Sequence, residues 1–561
     1  MKTGPAIADI LKKEGVEYLF AYPVNHLIEA CAAVDIRPII VRQERIGLHM
    51  ADAVSRLTKG RKMGVFCMQN GPGAENAFGG VAQAFGESVP LLVIPQGYAR
   101  RIAHVPPNFN SAMAMAQVAK HSEPITSGKE VANIMRRAFS MLRNGRGSPV
   151  IVELPSDVYA EDAPDPLNYE PVIAAKFGPD PAAVAEAAKV LMAAKRPVIY
   201  AGQGVHWAEA YAELKELAEF LAIPVCTSLE GKSCFDETHP LALGSGGRAY
   251  PKAVRTFLDK SDVILGIGCS FTETNFGISM PAGKTIIQAT LDPAHLNKDV
   301  KIKYGLVGDA KLTLAAVGAA LRARDLTKRR ADRPALERRI AEGRSRHRAE
   351  AEPLLRSAAR PIRPERLMGD LAAMLRPDDI VVADASYASI WTTNYLPALA
   401  PGMRFLAPRG LAGLGWGLPM ALGAKLAAPH RRVFCLVGDG GFAHVWSELE
   451  TARRHAIHIT VTVLNNQTLG YQKHAENVLF GAHSSAVDFQ PVDHAAIARA
   501  CGVQGRRVED PADYAAALDE AAAARDTTVI DAIVDGDAYP PITSFEGKRP
   551  VGRQQSGESG A

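Results

Sequence analysis

The sequence predicts an α/β protein built from three doubly wound parallel-sheet domains. Three observations lead there. At 561 residues the chain is too long for one hydrophobic core, given domains of roughly 150 residues. Short runs rich in Val and Ile alternate with apolar residues at helical spacing, the pattern of βα units whose strands are buried on both faces. Two stretches of this kind, similar to each other, flank a third, which points to duplication although no residue-level repeat is visible.

The elements follow in order. Residues 3–14 place Ile7, Ile10 and Leu11 on one helix face. A strand over 16–22, a helix near 26–34, a strand over 38–41 and a long helix over 44–59 come next. Strands at 63–68, 90–94 and 149–153 complete a first domain assigned to 1–175, ahead of a proline-spaced stretch. A second unit, 182–325, carries strands over 197–201, 224–227, 263–267 and 284–289. Residues 322–348 hold eleven Lys or Arg against four acids, so 326–362 is expected to be a basic, solvated linker helix. The third domain, 363–535, has strands over 380–383, 433–437 and 459–464, with an amphipathic helix over 444–455 that presents Val445, Leu449 and Ala452. A C-terminal tail, 536–561, follows, and its Gly-, Ser- and Gln-rich part, 547–561, is expected to be mobile.

Composition narrows the partners. With 47% hydrophobic and 22% charged residues and a net charge of +4, the chain is globular and lacks a field that would recruit nucleic acid or anionic lipid. Seven scattered cysteines without a C-x-x-C pair read as buried apolar residues in a reducing compartment. The opening Met1-Lys2-Thr3-Gly4-Pro5-Ala6 has no apolar signal-peptide core, and no apolar run of about 18 residues exists, so a cytoplasmic location is expected.

The sharpest chemical signal is Val437-Gly438-Asp439-Gly440-Gly441-Phe442, followed 27 residues after Asp439 by Asn466 in Leu464-Asn465-Asn466-Gln467-Thr468. In a right-handed βαβ crossover both strands end on the same rim of the sheet, so Asp439 and Asn466 face one crevice. One carboxylate, one amide oxygen and the Thr468 carbonyl form half of an octahedral oxygen shell, the donor set of magnesium. Gly438, Gly440 and Gly441 let main-chain N–H groups approach a diphosphate at the helix start.

This pairing resembles the signature of thiamin-diphosphate enzymes. The resemblance extends over nearly the whole chain and is nearest in overall pattern to the acetolactate synthase large subunit. It implies a pyrimidine-binding first domain, a central Rossmann-like domain and a diphosphate-binding third domain. The approach Gly410-Leu411-Ala412-Gly413-Leu414-Gly415-Trp416 is similar to the family segment in which a bulky residue 25 positions before the metal Asp lies under the thiazolium; Leu414 stands there. Val41-Arg42-Gln43-Glu44 with His49-Met50-Ala51-Asp52-Ala53 resembles the family's R-H-E and H-M-A-x-G stretch. It makes Glu44 the glutamate that shares a proton with the aminopyrimidine ring. Gln69-Asn70-Gly71-Pro72-Gly73-Ala74-Glu75-Asn76 matches the G-P-G-x-x-N turn, adding Gly71, Gly73 and Asn76 to the cofactor contacts. Because these contacts lie on different domains, the resemblance implies a site between subunits of a homodimer or homotetramer.

Glycine turns at Gly202-Gln203-Gly204 and Gly266-Ile267-Gly268, with Leu291-Asp292-Pro293, resemble a nucleotide domain, and some relatives hold FAD there. FAD is therefore a possible further cofactor. The pocket departs from the acetolactate synthase pattern N-N-x-x-x-G-M-V-x-x-W, because Tyr471, Gln472 and Ala475 replace Met, Val and Trp. Phe109-Asn110 stands loosely where the family has Phe-Gln. His26, at the end of the first strand, matches a histidine of benzaldehyde lyase and cyclohexane-1,2-dione hydrolase. Three functions therefore stay open: a carboligase or decarboxylase of a 2-keto acid such as pyruvate; a carbon–carbon lyase or hydrolase of 2-hydroxy ketones or 1,2-diketones, with His26 moving the proton; and a non-catalytic nucleotide-binding paralogue.

Overall fold

The computed structural model describes residues 1–246, 251–273, 279–322, 324–542 and 545. The expected tail beyond 546 lies outside them. Three six-stranded sheets, every strand pair parallel, carry the fold.

The first sheet consists of β1 (Tyr18–Tyr22), β2 (Arg37–Ile40), β3 (Gly64–Met68), β4 (Leu91–Gly97), β5 (His121–Pro124) and β6 (Val150–Pro155). Its order is β2-β1-β3-β4-β6-β5. The middle sheet holds β7 (Pro197–Ala201), β8 (Val225–Ser228), β9 (Ala242–Gly246), β10 (Val263–Ile267), β11 (Thr285–Thr290) and β12 (Tyr304–Val307), in the order β12-β11-β10-β7-β8-β9. The third holds β13 (Ile380–Ala383), β14 (Arg404–Leu406), β15 (Val433–Gly438), β16 (Thr460–Asn465), β17 (Gln504–Val508) and β18 (Thr528–Ile533), in the order β14-β13-β15-β16-β18-β17. The first and third sheets thus share one strand order, and the middle sheet has the order of a dinucleotide-binding fold.

Inner strands such as β3, β7, β10 and β16 are buried along their whole length, because helices cover both faces of each sheet. The first and third domains share one apolar core. Within it the helix Glu44–Thr58 packs against the helix Gly417–Ala427. The basic stretch is helical as expected, over Thr327–Leu355, and buries only Ile340 and Ala351. Arg329 and Arg344 on it donate to main-chain carbonyls of the middle domain, at 2.7 Å to Ala194 and 2.8 Å to His239.

One expected element needs correction. No single helix spans 444–455: the chain forms Asp439–Ala443 and then Glu448–Arg454. The helix starts directly at the Asp439 turn, and the chain bends after Ala443 before it resumes. Val445, Leu449 and Ala452 are nevertheless all fully buried. All seven cysteines are free thiols and five of them are buried. Among the described residues no helix is long and apolar enough to cross a membrane.

Candidate active site

In both outer domains strand order reverses at the first and third strands, and an open α/β sheet holds its ligand in the crevice beyond that point. In the third domain this is the end of β13 and β15. Asp439 leaves β15 at the first position of a helix and is 6% exposed. Burial is the main reason its carboxyl is pushed up to about 6, and nearby Asp531 adds to the rise. Its Oδ2 accepts the N–H of Gln467 at 3.0 Å.

Asn466 follows β16, which pairs with β15 in register Gly438 to Leu464. Its Oδ1 stands 3.1 Å from Asp439 Oδ1 and 2.9 Å from the carbonyl oxygen of Thr468. Three acceptor oxygens at this spacing cannot bond one another. Either the amide turns its NH2 toward the other two, or a cation lies among them. Adjacent ligands of an octahedral magnesium, with bonds of about 2.1 Å, stand about 3 Å apart. Among the described residues no three His, Cys, Asp or Glu side chains could hold a metal ion. One carboxylate, one carboxamide and one main-chain carbonyl suit a hard divalent cation instead. The preceding Asn465 braces this end: its Nδ2 donates to Asp531 Oδ1 at 2.9 Å and to the Val492 carbonyl at 3.1 Å.

A cavity of about 470 Å³ opens over these oxygens. Of the expected residues, Leu414, Gly438, Asp439, Gly440, Gly441, Asn466, Thr468, Tyr471 and Gln472 line it. Ala475 is half-buried and does not line it. Gly441 must be glycine, since a Cβ there would lie 2.2 Å from Asp384 Oδ2. Sequence reasoning missed three contributors. Asp384, directly after β13 at the reversal point, lies behind the lining and accepts the N–H groups of Gly415 and Trp416, and Tyr387 and Trp391 add an aromatic wall beside Tyr471, at 6.2 and 6.1 Å between neighbouring rings. The apolar strand 380–383 followed by an acid was the signal that could have found Asp384.

The expected first-domain residues form a separate group. Glu44 opens the helix Glu44–Thr58, is 4% exposed, and burial holds its carboxyl above the usual range while Asn76 pulls the other way. The turn after β3 brings Gly73 beside it: a Cβ on Gly73 would lie 3.2 Å from Glu44 Oε1. Gly71, at φ +65°, starts the next helix in a conformation that favours glycine. His26 is exposed in the first turn of the helix Asn25–Ala32, its ring 5.0 Å from that of Tyr159. That helix has Val24 at its N-cap, and His26 does not serve as a side-chain cap. Phe109 packs against the core, and Asn110 caps the helix Ser111–Met115 by accepting the Met113 N–H at 2.9 Å. None of Glu44, Gly71, Gly73, Asn76, His26, Phe109 or Asn110 lines the third-domain cavity of the same chain.

Fold and cavity together define a three-domain α/β protein with a ligand crevice at the strand ends of its third domain. The chain belongs to the thiamine pyrophosphate enzymes. Residues 1–122 match the N-terminal TPP binding domain of that family, 184–317 its central domain and 384–532 its C-terminal TPP binding domain. The chain is 32% identical to a probable acetolactate synthase large subunit of Methanocaldococcus jannaschii, over 97% of this chain and 93% of that protein. It is equally 32% identical to one of Methanococcus aeolicus, over 95% and 92%. It is 29% identical to acetolactate synthase isozyme 3 large subunit of Escherichia coli, over 91% and 90%. It is a thiamin-diphosphate-dependent, acetolactate synthase-like enzyme.

Proposed function

We propose that the chain is a thiamin-diphosphate- and magnesium-dependent carboligase or decarboxylase of a 2-keto acid such as pyruvate, active as a homodimer or homotetramer. The observation that carries this reading is the cluster of Asp439, Asn466 and Thr468 oxygens over the cavity. Asp439, Asn466 and the Thr468 carbonyl would hold the magnesium, and the N–H groups of Gly440 and Gly441 would meet the diphosphate. The cofactor, when bound, supplies the electron sink for carbanion chemistry at the substrate carbonyl. Leu414 supports the cofactor ring from below. Glu44 would share a proton with the aminopyrimidine, a role suited by a carboxyl that burial raises above its usual range. Because Glu44 and its neighbours do not line their own chain's cavity, we assign them to the cavity of a partner subunit. Titrating cofactor-free protein with thiamin diphosphate and magnesium tests the reading: it requires a cofactor-dependent circular dichroism signal and turnover of a 2-keto acid. No binding at millimolar cofactor would end it.

A second reading, carbon–carbon cleavage of a 2-hydroxy ketone, is favoured by one observation. His26 stands exposed at the end of β1, at the reversal point of the first sheet. An imidazole there could remove the hydroxyl proton that cleavage requires. His26→Ala then hurts cleavage of a 2-hydroxy ketone more than decarboxylation of a 2-keto acid; equal, small losses return the chain to the first reading.

We extend the proposal to a larger cavity of about 1230 Å³ between the middle domain and its neighbours, lined by Gly202, Gly204, Gly268, Asp292, Lys120 and Arg146. Its size, glycine turns and cationic rim suit FAD. Flavin absorbance of the purified protein, and flavin released on denaturation, would support this; colourless protein refutes it.

A further inference from the structure

The segment that carries Leu414 is tethered at both ends to buried carboxylates that belong to different domains. At its start the N–H groups of Arg409 and Gly410 both donate to Glu87 Oε1, the second at 3.1 Å. At its end the N–H of Gly415 donates to Asp384 Oδ2 at 3.0 Å, and that of Trp416 to Oδ1 at 3.1 Å. Glu87 is 3% exposed and Asp384 1%. The backbones also touch at the first tether, where a Cβ on Gly410 would lie 2.9 Å from the carbonyl carbon of Gly86.

The two anchors are held differently. Asp384 also accepts the Ala385 N–H at 2.8 Å and has no ion pair among the described residues, so main-chain N–H groups hold it. Glu87, in the first domain, takes Arg56 Nη2 on its other oxygen at 2.6 Å and the amide of Gln83 on the first. Arg56 in turn grips Asp52 with two bonds, at 2.7 and 2.9 Å. Asp52 and Arg56 lie on the helix that begins at Glu44.

Loop N–H groups turned into the protein need acceptors. A single carboxylate oxygen shared by two successive N–H groups fixes the direction in which the loop leaves. Fixing both ends of so short a segment leaves Leu414 little freedom to move toward or away from the cavity floor. We propose that Glu87 and Asp384 are positioning residues that set the height of Leu414 in the cofactor cavity, and that Glu87 ties this height to the helix bearing Glu44. The proposal rests on the reading of Leu414 as the support beneath the cofactor.

Hydrogen exchange read by mass spectrometry on cofactor-free protein tests the tethers, with Glu87→Gln, Asp384→Asn and the triple variant Asp52→Asn/Arg56→Gln/Glu87→Gln. Glu87→Gln leaves Arg56 its two bonds to Asp52, and the triple variant removes every charge of the buried cluster, so neither leaves a buried charge without a partner. Amides of 409–410 should exchange about tenfold faster in either Glu87 variant, and those of 415–416 in Asp384→Asn, with the middle-domain strands unchanged. In the holoenzyme kcat should fall about tenfold or more while KM for the keto acid moves less than about threefold. The near-ultraviolet dichroism of the bound cofactor should change with it. Unchanged loop protection, or a loosened loop with unchanged kcat and dichroism, would overturn the proposal. Failure of the wild type to bind thiamin diphosphate would instead refute the function, while the exchange result would still decide whether the tethers exist.

Discussion

The first and third domains share one strand order and meet in one apolar core, yet their crevices hold opposite chemistry. At the end of its third strand the third domain turns through Gly438-Asp439-Gly440-Gly441 and gathers the side chains of Asp439 and Asn466 around the Thr468 carbonyl. At the same place the first domain turns through Gly71-Pro72-Gly73 and sets a buried carboxyl, Glu44, beside Gly73 and Asn76. A fold supplies a rim and a crevice; a few turn residues decide whether it binds a metal–diphosphate pair or holds a proton. If the two are halves of one site, damage to each should look different.

The largest effect is expected in the third domain. Asp439→Ala removes the only carboxylate of the oxygen cluster, so affinity for magnesium and thiamin diphosphate should fall roughly 100-fold or more, as read by titration calorimetry. Glu44→Gln should do the reverse. Cofactor affinity should stay within about fivefold, while kcat drops about 100-fold, because the amide keeps the shape but has no acidic proton. Equal binding losses in both variants would erase the distinction between the halves.

A smaller effect separates them by pH. The Asp439 carboxyl is raised from 3.8 to about 6. The folded protein therefore keeps a proton that the unfolded chain loses earlier, and stability of the metal-free protein declines as pH rises from about 4 to 6, by about 3 kcal/mol in total. Magnesium needs the ionised form, so its affinity should increase with pH across the same window and level off above it. Asp439→Asn should abolish both trends, which thermal melts with and without magnesium would show. The smallest effect belongs to Asn110. If it acts only as a cap, Asn110→Ala costs about 1 kcal/mol of stability and leaves kcat/KM unchanged; a large kinetic loss would return it to the substrate pocket.

The same contrast explains what the sequence made legible. Strands β7, β10 and β13 are visible to the residue, because uninterrupted Val, Ile and Leu runs mark strands buried on both faces. The edge strands β5, β9, β12, β14 and β17 escape: β5 reads His-Ser-Glu-Pro, β17 is half-exposed with two arginines, and β9 contains two glycines. Strands β5, β12 and β17 are covered less, so their composition carries little signal; β9 and β14 are largely buried, but one is broken by glycine and the other is three residues long. Strand β18 hides for another reason, since buried Asp531 interrupts its apolar run and is explained by Asn465 across the sheet and by the N–H of His494. Asp439, Asn466 and Thr468 could be placed together because their separation follows from one crossover. Asp384, Glu87 and Tyr387 could not, because their partners lie tens to hundreds of residues away.

The central claim is that two domains of like topology supply complementary halves of one site across two chains, and mixed assembly tests it most directly. Glu44→Gln and Asp439→Ala proteins are each expected to be nearly inactive as homo-oligomers. Unfolded or dissociated together and reassembled, they should form mixed dimers in which one site carries both intact residues and the other neither, restoring about one quarter of the wild-type sites. Activity that stays at the sum of the two variants, with mixed dimers demonstrated by mass, would contradict the account and place both halves within a single chain.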